Sequence, residues 1–324
     1  MKLFISSYNY EKDQNINNSN LVYRIPCVQF KNNGWKIATI DDLPFLSLDV
    51  IKSFCDSITP SVILIWMCSS YILKNKKFLC NTKNSNVNIK LCWYIDDLHN
   101  NIKQRFSILK FFDVILNSYE YCFNKFYGSG YNTYWFPHYV NENLIKNIEF
   151  NNDPVPKIFL SGQITQHIYP ARHKALIIAK NDERIYYLSH PGYKERNKHD
   201  YCGSKYYSLM NNFLAAFTCC ARNDRPYIVS KFFEIIACGT LLIAYDEFVK
   251  EELRMLGFVE NENYISCTME NMQDIFDYVL NPVNIENINV IRKNGFELSK
   301  KNSFLCNRVN NFCKFIEKKY NYII

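Results

Sequence analysis

The sequence predicts an α/β protein whose strands form parallel sheets in two separate halves of the chain. Short apolar runs rich in β-branched residues alternate with amphipathic stretches, which is the pattern of strands joined by crossover helices. The alternation breaks at 151–156, a polar stretch with two prolines, and a new apolar run follows directly. The length of 324 residues agrees with two domains at roughly 150 residues each. We therefore expect domains at residues 1–150 and 151–324.

Five apolar runs in the first half are expected to form one sheet. They are Lys2–Ser6, Ser61–Met67, Asn88–Ile95, Val114–Asn117 and Asn132–Phe136. Helical spacing of the apolar residues predicts crossover helices at Leu43–Cys55 and Ile102–Phe112. Because parallel strands require such crossovers, this half is expected to be Rossmann-like.

The second half repeats the alternation of strands and helices. Its predicted strands are Lys157–Ser161, Ile185–Leu188, Ala215–Cys219, Leu241–Ala244 and Tyr264–Cys267. Its predicted helices are Pro170–Ala179, Tyr206–Asn212, Lys231–Cys238 and Glu247–Met255. A second Rossmann-like half that faces the first is expected.

A final helix is expected at Asn302–Lys319, because four apolar residues recur there at helical spacing. They are Leu305, Val309, Phe312 and Ile316. The pattern predicts a closing helix that packs on the body of the protein, and the N-terminal domain is one surface to which it could return. A helix that lies on a membrane surface is the alternative, so peripheral membrane contact stays open.

Composition narrows the class of protein. Hydrophobic residues make up 48% and charged residues 21%, as in folded globular proteins. The net charge of +7 suits an anionic, phosphate-bearing ligand, but the charges are dispersed, so no nucleic-acid partner is expected. The 13 cysteines lack zinc-site spacing, which favours free thiols in a reducing compartment. With no apolar segment typical of a secretory signal near Met1, a cytoplasmic protein is expected.

The segment 225–245 has the most specific pattern in the sequence. A helix beginning near Ser230 would direct its backbone N–H groups at a ligand in front of it, which suits a diphosphate. Lys231 stands in the first turn, and Glu234 one turn later could accept hydrogen bonds from two ribose hydroxyls. Gly239 permits a tight turn into the next strand. An ordinary helix end with charged residues in its first turn is the alternative.

Asp96, Asp97 and His99 directly follow a predicted strand of the first half. Parallel sheets present the carboxyl ends of their strands to the ligand crevice, so these positions favour a function. One of these residues could act as a general base or bind hydroxyl groups of a substrate. The alternative for the aspartates is that they only cap the following helix.

Several segments resemble those of group 1, GT-B-fold glycosyltransferases, especially the branch related to spore-maturation and spore-coat glycosyltransferases. Lys231–Leu242 resembles their nucleotide-sugar signature. Ile158–Arg172 resembles the strand, glycine loop and Tyr-Pro-x-Arg motif that open the donor domain, and Ser189–Tyr193 resembles a second donor-side loop. Three segments of the first half resemble acceptor-domain strand ends and the lead-in to the hinge: Trp93–His99, Phe112–Ser118 and Trp135–His138.

The resemblance implies a glycosyltransferase that moves a sugar from a nucleotide-activated donor to an unidentified glycan, protein or small-molecule acceptor. It implies that residues 1–150 bind the acceptor, that 151–324 bind the donor, and that closure of the two domains assembles the site. No metal or other cofactor is expected, because the sequence lacks an Asp-x-Asp motif. Together with the frequent asparagines, the resemblance suggests a large DNA virus or an A/T-rich microbe as the source. If the source is a virus, the protein is expected in the cytoplasm of the host.

The resemblance also implies roles for individual residues. The donor-binding residues are Gly162, Arg172, His190, Lys231 and Glu234. Arg172 and Lys231 hold the diphosphate, because the fork of an arginine matches phosphate oxygens; an Arg172 paired with a carboxylate is the alternative. His190 could contact the base or the phosphates, or only form a turn with the following Pro-Gly. His138 could contact a ligand at the hinge, or only bridge loop carbonyls.

One position departs from the family pattern. Many group 1 enzymes carry Glu-x7-Glu, and the second glutamate corresponds to Glu234, but Pro226 occupies the first position. Mechanisms that rely on that first carboxylate do not carry over, and the anomeric outcome stays open. A non-catalytic, glycosyltransferase-like binding or scaffold protein is therefore the alternative function.

Overall fold

The computed structural model describes residues 1–6, 21–66, 69–96, 98, 102–190, 201, 203–221, 224 and 226–320. The chain divides into two compact units. Unit 1 contains the described residues up to Pro137 and those from Val309 onward, and unit 2 extends from His138 to Arg308. The division thus follows Pro137, while the predicted boundary lies at the later proline-bearing stretch 151–156. The expected acceptor and donor roles of the two halves stay predictions.

Unit 1 is built on a six-stranded parallel sheet with the order β2-β1-β3-β4-β5-β6. Its strands are β1 Lys2–Ser6, β2 Trp35–Thr39, β3 Val62–Trp66, β4 Lys90–Ile95, β5 Val114–Asn117 and β6 Thr133–Trp135. Its helices are α1 Leu21–Asn32, α2 Leu48–Phe54, α3 Ser69–Lys74, α4 Lys76–Asn84, α5 Ile102–Leu109 and α6 Glu120–Tyr127. All five predicted strands are present, and β2 is an additional strand at the edge.

Unit 2 is built on a five-stranded parallel sheet with the order β11-β10-β9-β7-β8. Its strands are β7 Val155–Ser161, β8 Ile185–Leu188, β9 Phe213–Cys219, β10 Leu241–Tyr245 and β11 Ile265–Cys267. Its helices are α7 Glu142–Ile145, α8 Pro170–Ala179, α9 Ser204–Asn211, α10 Lys231–Ala237, α11 Lys250–Met255, α12 Met272–Leu280 and α13 Ile285–Asn302, with a 3-10 helix at Pro282–Asn284. The strands predicted for the second half are all present.

The core of unit 2 explains why its central strands contain so few polar residues. Every residue of β9 and β10 is buried, since helices such as α8, α10 and α13 pack on this sheet. Strands that are buried on both faces appear in a sequence as continuous apolar runs. The polar exception within β9 is Thr218, which is fully buried.

The last helix, α14, extends over Leu305–Tyr320. Its residues Val309, Phe312 and Ile316 are fully buried in unit 1, where the ring of Phe312 contacts Trp35. The cysteines of the described residues are free thiols. Within the described ranges, no helix has both the length and the apolar character needed to cross a lipid bilayer.

Candidate functional site

The strand order of unit 2 reverses between β7 and β9, which lie side by side although β8 separates them in the chain. In open α/β sheets, ligands bind outside the carboxyl ends of the strands at such a reversal. β7 ends at Ser161 and β9 ends at Cys219. The topology therefore selects the loops that follow these two strands as the candidate site.

Arg172 joins the two strands at this reversal. It is the third residue of α8, a helix that begins at Pro170, where proline is favoured because its missing N–H needs no partner. Its Nη1 donates to the carbonyl oxygen of Gln163 at 2.9 Å, and its Nη2 donates to Oγ1 of Thr218 at 3.1 Å. The guanidinium carbon lies 4.4 Å from the centre of the Tyr169 ring. These contacts fix the guanidinium at the carboxyl edge of the sheet.

The charge of Arg172 has no counter-charge among the described residues. The residue is only 3% exposed, and its Nε is buried without a hydrogen-bond partner there. No carboxylate in the described part of the chain forms an ion pair with it, so the alternative of a structural ion pair is not found there. A buried charge is costly unless it is paired, so this position is suited to an anionic ligand.

Gly162 allows the guanidinium of Arg172 to lie directly against the backbone. Its φ of +95° is in the region that favours glycine. A Cβ atom at this position would be 3.2 Å from Nη1 of Arg172. A side chain here would therefore strain the loop and press against the arginine.

Lys231 and Glu234, the second predicted pair, lie together on α10. Lys231 is the first residue of the helix, and its ammonium pairs with the carboxylate of Glu234 one turn later. The two side chains are 21% and 12% exposed, so both are largely buried but reach solvent. Burial by itself lowers the pKa of the Lys231 ammonium, but the charge of Glu234 together with Tyr206 and the hydrogen bonds to both outweighs burial, so the pKa is raised above its ordinary value. Lys231 is therefore a stable cation.

Tyr206 links the lysine to the end of β7. Its Nζ lies 4.4 Å from the centre of the Tyr206 ring. The Tyr206 hydroxyl shares a 2.6 Å hydrogen bond with Oγ of Ser161, the last residue of β7. Burial raises the pKa of the Tyr206 phenol, so this tyrosine is neutral at physiological pH. The consecutive residues Ser161 and Gly162 thus contact the surroundings of Lys231 and of Arg172.

The structure adds residues that the sequence did not single out. Thr218, Tyr206 and Ser161 complete the contacts of the two cations. A signal for Thr218 was available, because it is a polar residue in an otherwise apolar run and lies near a strand end. No local signal distinguishes Tyr206, since many tyrosines of this chain lie in helices.

His190 follows β8, the edge neighbour of β7, and is half-buried. It is therefore on the same edge of the sheet as Gly162. Its role in donor binding stays a prediction, as do those of Gly162, Arg172, Lys231 and Glu234. His138, the hinge residue of the prediction, is half-buried and is the first residue of unit 2.

In unit 1, Asp96 directly follows β4, as predicted, and is half-buried. Its backbone carbonyl accepts a 2.9 Å hydrogen bond from Nη1 of Arg105 on α5. Asp97 and His99, the other two predicted catalytic residues, lie outside the described residues. At the end of the neighbouring strand, the Asn117 amide donates to Oε2 of Glu120 at 3.1 Å.

A groove of about 460 Å³ lies elsewhere on unit 2, near the amino end of β8. Arg184 in its lining pairs with Asp182 at 2.7 Å and with Asp277 at 2.5 Å. Because this cation already has two carboxylate partners and lies at the opposite edge of the sheet, the groove is not the candidate site.

Comparison with known proteins supports the fold. No protein-family profile and no curated protein matches the chain. Among solved structures, a sucrose-phosphate synthase from Thermosynechococcus elongatus has a TM-score of 0.61 at 9% identity over 99% of both chains. A glycosyltransferase from Rickettsia africae has a TM-score of 0.59 at 11% identity over 99% of both chains. HepE of Anabaena, solved with UDP and glucose, has a TM-score of 0.54 at 10% identity over 98% of this chain and 99% of its own.

These neighbours have the GT-B fold. At such identities the likeness concerns the fold alone. It confirms the predicted α/β class, with two parallel sheets of the GT-B type.

Proposed function

We propose that this protein is a glycosyltransferase that binds a nucleotide-activated sugar at the carboxyl edge of the unit 2 sheet. The observation that carries the proposal is Arg172, a buried cation without a carboxylate partner among the described residues, at the point where the strand order reverses. The diphosphate of a nucleotide sugar would supply the missing negative charge. A guanidinium fork is well matched to phosphate oxygens, which strengthens this choice of ligand.

Lys231 and Glu234 fit the rest of such a donor. The Lys231 ammonium has three N–H donors and reaches solvent, so it can donate to a phosphate oxygen while it stays paired with Glu234. Glu234 has further lone pairs beyond those used by Lys231, and these can accept hydrogen bonds from ribose hydroxyls. The solved neighbour HepE was crystallised with UDP and glucose, so UDP and its sugars are the first ligands to test.

The reaction needs stabilisation of a leaving group. The acceptor oxygen forms a bond to the anomeric carbon while the bond from that carbon to the diphosphate breaks, and the nucleoside diphosphate departs. Arg172 and Lys231 would stabilise the negative charge that develops on the diphosphate. We propose that unit 1 binds the acceptor, and that Asp96, Asp97 or His99 takes the acceptor proton or binds hydroxyl groups.

Four further expectations from the sequence belong to this proposal. Metal independence is one of them; in the ranges that the structure describes, no three His, Cys, Asp or Glu residues are grouped closely enough to hold a metal ion. The others are the relation to the spore-maturation and spore-coat branch, a viral source and a cytoplasmic location.

Calorimetric titration and thermal denaturation with UDP, GDP, ADP and CMP, and with the corresponding sugars, test the proposal. A bound nucleotide at 100 times its Kd stabilises the folded state by about 2.7 kcal/mol, which raises the melting temperature measurably. Absence of binding by every nucleotide at about millimolar concentration (Kd weaker than about 1 mM, or −4.1 kcal/mol) would overturn the proposal.

Turnover separates the enzyme from the non-catalytic alternative, which Pro226 at the first Glu-x7-Glu position favours. Release of the nucleoside diphosphate from the bound sugar donor, to water or to an added acceptor, is expected for the enzyme. Tight binding without any release, with a panel of glycan, protein and small-molecule acceptors, would favour a binding or scaffold protein.

A further inference from the structure

Tyr206 on α9 contacts the candidate site with both of its ends. The face of its ring lies 4.4 Å from the Lys231 ammonium, and its hydroxyl is bonded to Ser161 at 2.6 Å. The ring is itself held by Phe159 of β7, whose centroid is 5.9 Å away. Tyr206 therefore connects a flexible cation to two residues of a rigid central strand.

We propose that Tyr206 positions Lys231 for the diphosphate of the donor, an inference that rests on the proposed function. A lysine side chain has four rotatable bonds, and a ligand that captures it normally has to restrict them. Here the ring attracts the ammonium through its electron-rich face, and Glu234 holds it from another direction. The ammonium is thus restrained before the ligand arrives, and less freedom is lost on binding.

The link to Ser161 ties the lysine to the same loop that holds the arginine. Ser161 bonds to Tyr206, and the next residue, Gly162, lies against Arg172. A displacement of this loop would therefore move both cations together. Two cations in a fixed mutual arrangement suit a ligand with two adjacent phosphates, and Tyr206 is the residue that transmits this arrangement to Lys231.

A positioning role predicts which part of the ligand responds to substitution. Tyr206 would act only through Lys231, and Lys231 would contact only the diphosphate. Removing the ring should therefore lower the affinity for a nucleoside diphosphate and leave the affinity for the nucleoside unchanged. A residue that merely supports the fold of unit 2 would affect both ligands alike.

The experiment compares UDP with uridine, or another diphosphate with its nucleoside if the wild type prefers that base, by calorimetric titration. Tyr206→Leu should lower the affinity for the diphosphate by about threefold to tenfold, as expected for the loss of a partly buried cation–π contact. The affinity for the nucleoside should stay within about twofold of the wild type. Tyr206→Phe keeps the ring and should stay closer to the wild type. In a Lys231→Met background, Tyr206→Leu should have no further effect on the diphosphate, because coupled residues are not additive.

Tyr186→Leu is the matched control. Tyr186 also packs on Phe159, with a ring separation of 6.0 Å, but its ring contacts lie with Phe159 and Phe213 and not with Lys231. This substitution should cost folding stability and leave the affinity of the folded protein for the diphosphate unchanged. If Tyr206→Leu does not fold, Tyr206→Met, which keeps more volume without an aromatic face, carries the same expectation.

The outcomes separate this inference from the proposed function. A wild-type protein that binds none of the tested nucleotides overturns both, and one that binds CMP but no nucleoside diphosphate overturns the positioning role alone. If the wild type binds UDP and Tyr206→Leu loses affinity for UDP and for uridine equally, the positioning role alone is overturned. The positioning role is also overturned if the effect of Tyr206→Leu persists undiminished in the Lys231→Met background.

Discussion

Two buried arginines of unit 2, Arg172 and Arg292, look alike in isolation but lie at opposite edges of the same sheet. They are 3% and 1% exposed, and neither forms an ion pair with a carboxylate of the described residues. Arg172 bonds to a residue that follows β7 and to a residue near the end of β9. Arg292 bonds to the carbonyl oxygens of Asn151 at 3.1 Å and Gly239 at 2.9 Å, which precede β7 and β10.

The comparison shows that burial without a counter-charge does not by itself identify a ligand site. Burial lowers the pKa of Arg292 to about 10, and three hydrogen bonds, including one to Oδ1 of Asn289 at 2.6 Å, hold its guanidinium in place. Its contacts tie the turn between α10 and β10 to the segment before β7, which is a structural role. Arg172 lies where parallel sheets accept ligands. The edge of the sheet distinguishes the two arginines.

The largest expected effect is the loss of nucleotide binding in Arg172→Met. Removing the charged fork should weaken the binding of UDP, or of the nucleotide that the wild type prefers, by about 100-fold, since hydrogen bonds to charged groups contribute about 1.5–3 kcal/mol. Folding stability should change less, because the substitution also removes an uncompensated buried charge. Calorimetric titration measures the first quantity and urea denaturation the second. An affinity within about threefold of the wild type would contradict the conclusion that Arg172, unlike Arg292, lies at a ligand site.

Arg292→Met should show the opposite behaviour. It leaves the carbonyls of Asn151 and Gly239 without their donor, so the free energy of unfolding should fall by about 2–3 kcal/mol. The affinity of the folded protein for the nucleotide should stay within about twofold, because open α/β sheets bind ligands at the carboxyl ends of their strands and Arg292 lies at the amino ends. Both quantities are measured as for Arg172→Met, at a temperature where the variant is folded. Equal losses of binding in the two variants would remove the distinction between the two edges.

Gly162→Ala should have a smaller effect on the same site. The positive φ costs about 1–3 kcal/mol of folding stability for an alanine, and the added Cβ, 3.2 Å from the guanidinium, should also weaken nucleotide binding. A loss of affinity of about tenfold is expected from a displaced Arg172, which is about 1.4 kcal/mol.

Gly128→Ala is the matched control for that substitution. Gly128 has a similar φ of +85°, but a Cβ there would meet nothing within 4 Å among the described residues. It should lose folding stability and keep its affinity for the nucleotide. If both alanine variants bind the nucleotide equally well, the close approach of Gly162 to Arg172 has no role in the site.

The smallest effect is expected for Thr218→Val, compared with Thr240→Val. Both threonines are fully buried, and among the described residues the Thr218 hydroxyl accepts a hydrogen bond from Arg172 while the Thr240 hydroxyl donates to the carbonyl of Met210. Each substitution should lower the free energy of unfolding by about 1 kcal/mol. Only Thr218→Val should weaken nucleotide binding, by about threefold, because it loosens the guanidinium. Titration of both variants checks this, and a larger loss in Thr240→Val would contradict it.

The strands could be predicted because buried strands appear in the local sequence as apolar runs. β9 and β10 are continuous apolar runs, and α8 begins at the predicted proline, Pro170. The edge strand β2 was missed because it is not a continuous apolar run: the half-buried Lys36 and Ile37 separate the buried Trp35 from the buried Ala38 and Thr39. Helix α1 contains Pro26, which normally indicates a break, and α13 is rich in asparagine and charged residues. In these elements tertiary packing overrides weak local signals.

For the candidate site, the motifs named Gly162, Arg172, Lys231 and Glu234 together, and the parallel topology brings the ends of β7 and β9 to one edge. Sequence reasoning assigned Lys231 and Glu234 separate tasks, whereas the structure pairs them. Their spacing of one helical turn made this contact possible. Whether the Lys231 ammonium pairs with Glu234 on its own helix or with another element depends on the tertiary packing around it.

The sequence by itself determined where strands and helices lie and which polar residues stand beside strand ends, because those features depend on neighbours a few positions away. Only the tertiary structure decided that Arg172 is buried at the carboxyl edge of the sheet, with no carboxylate of the described residues beside it, and that Arg292 is buried at the amino edge. Arg172 meets Thr218 across 46 positions, and Arg292 meets Asn151 across 141. Such partners are set by strand order and by the packing of distant helices, which no local pattern encodes.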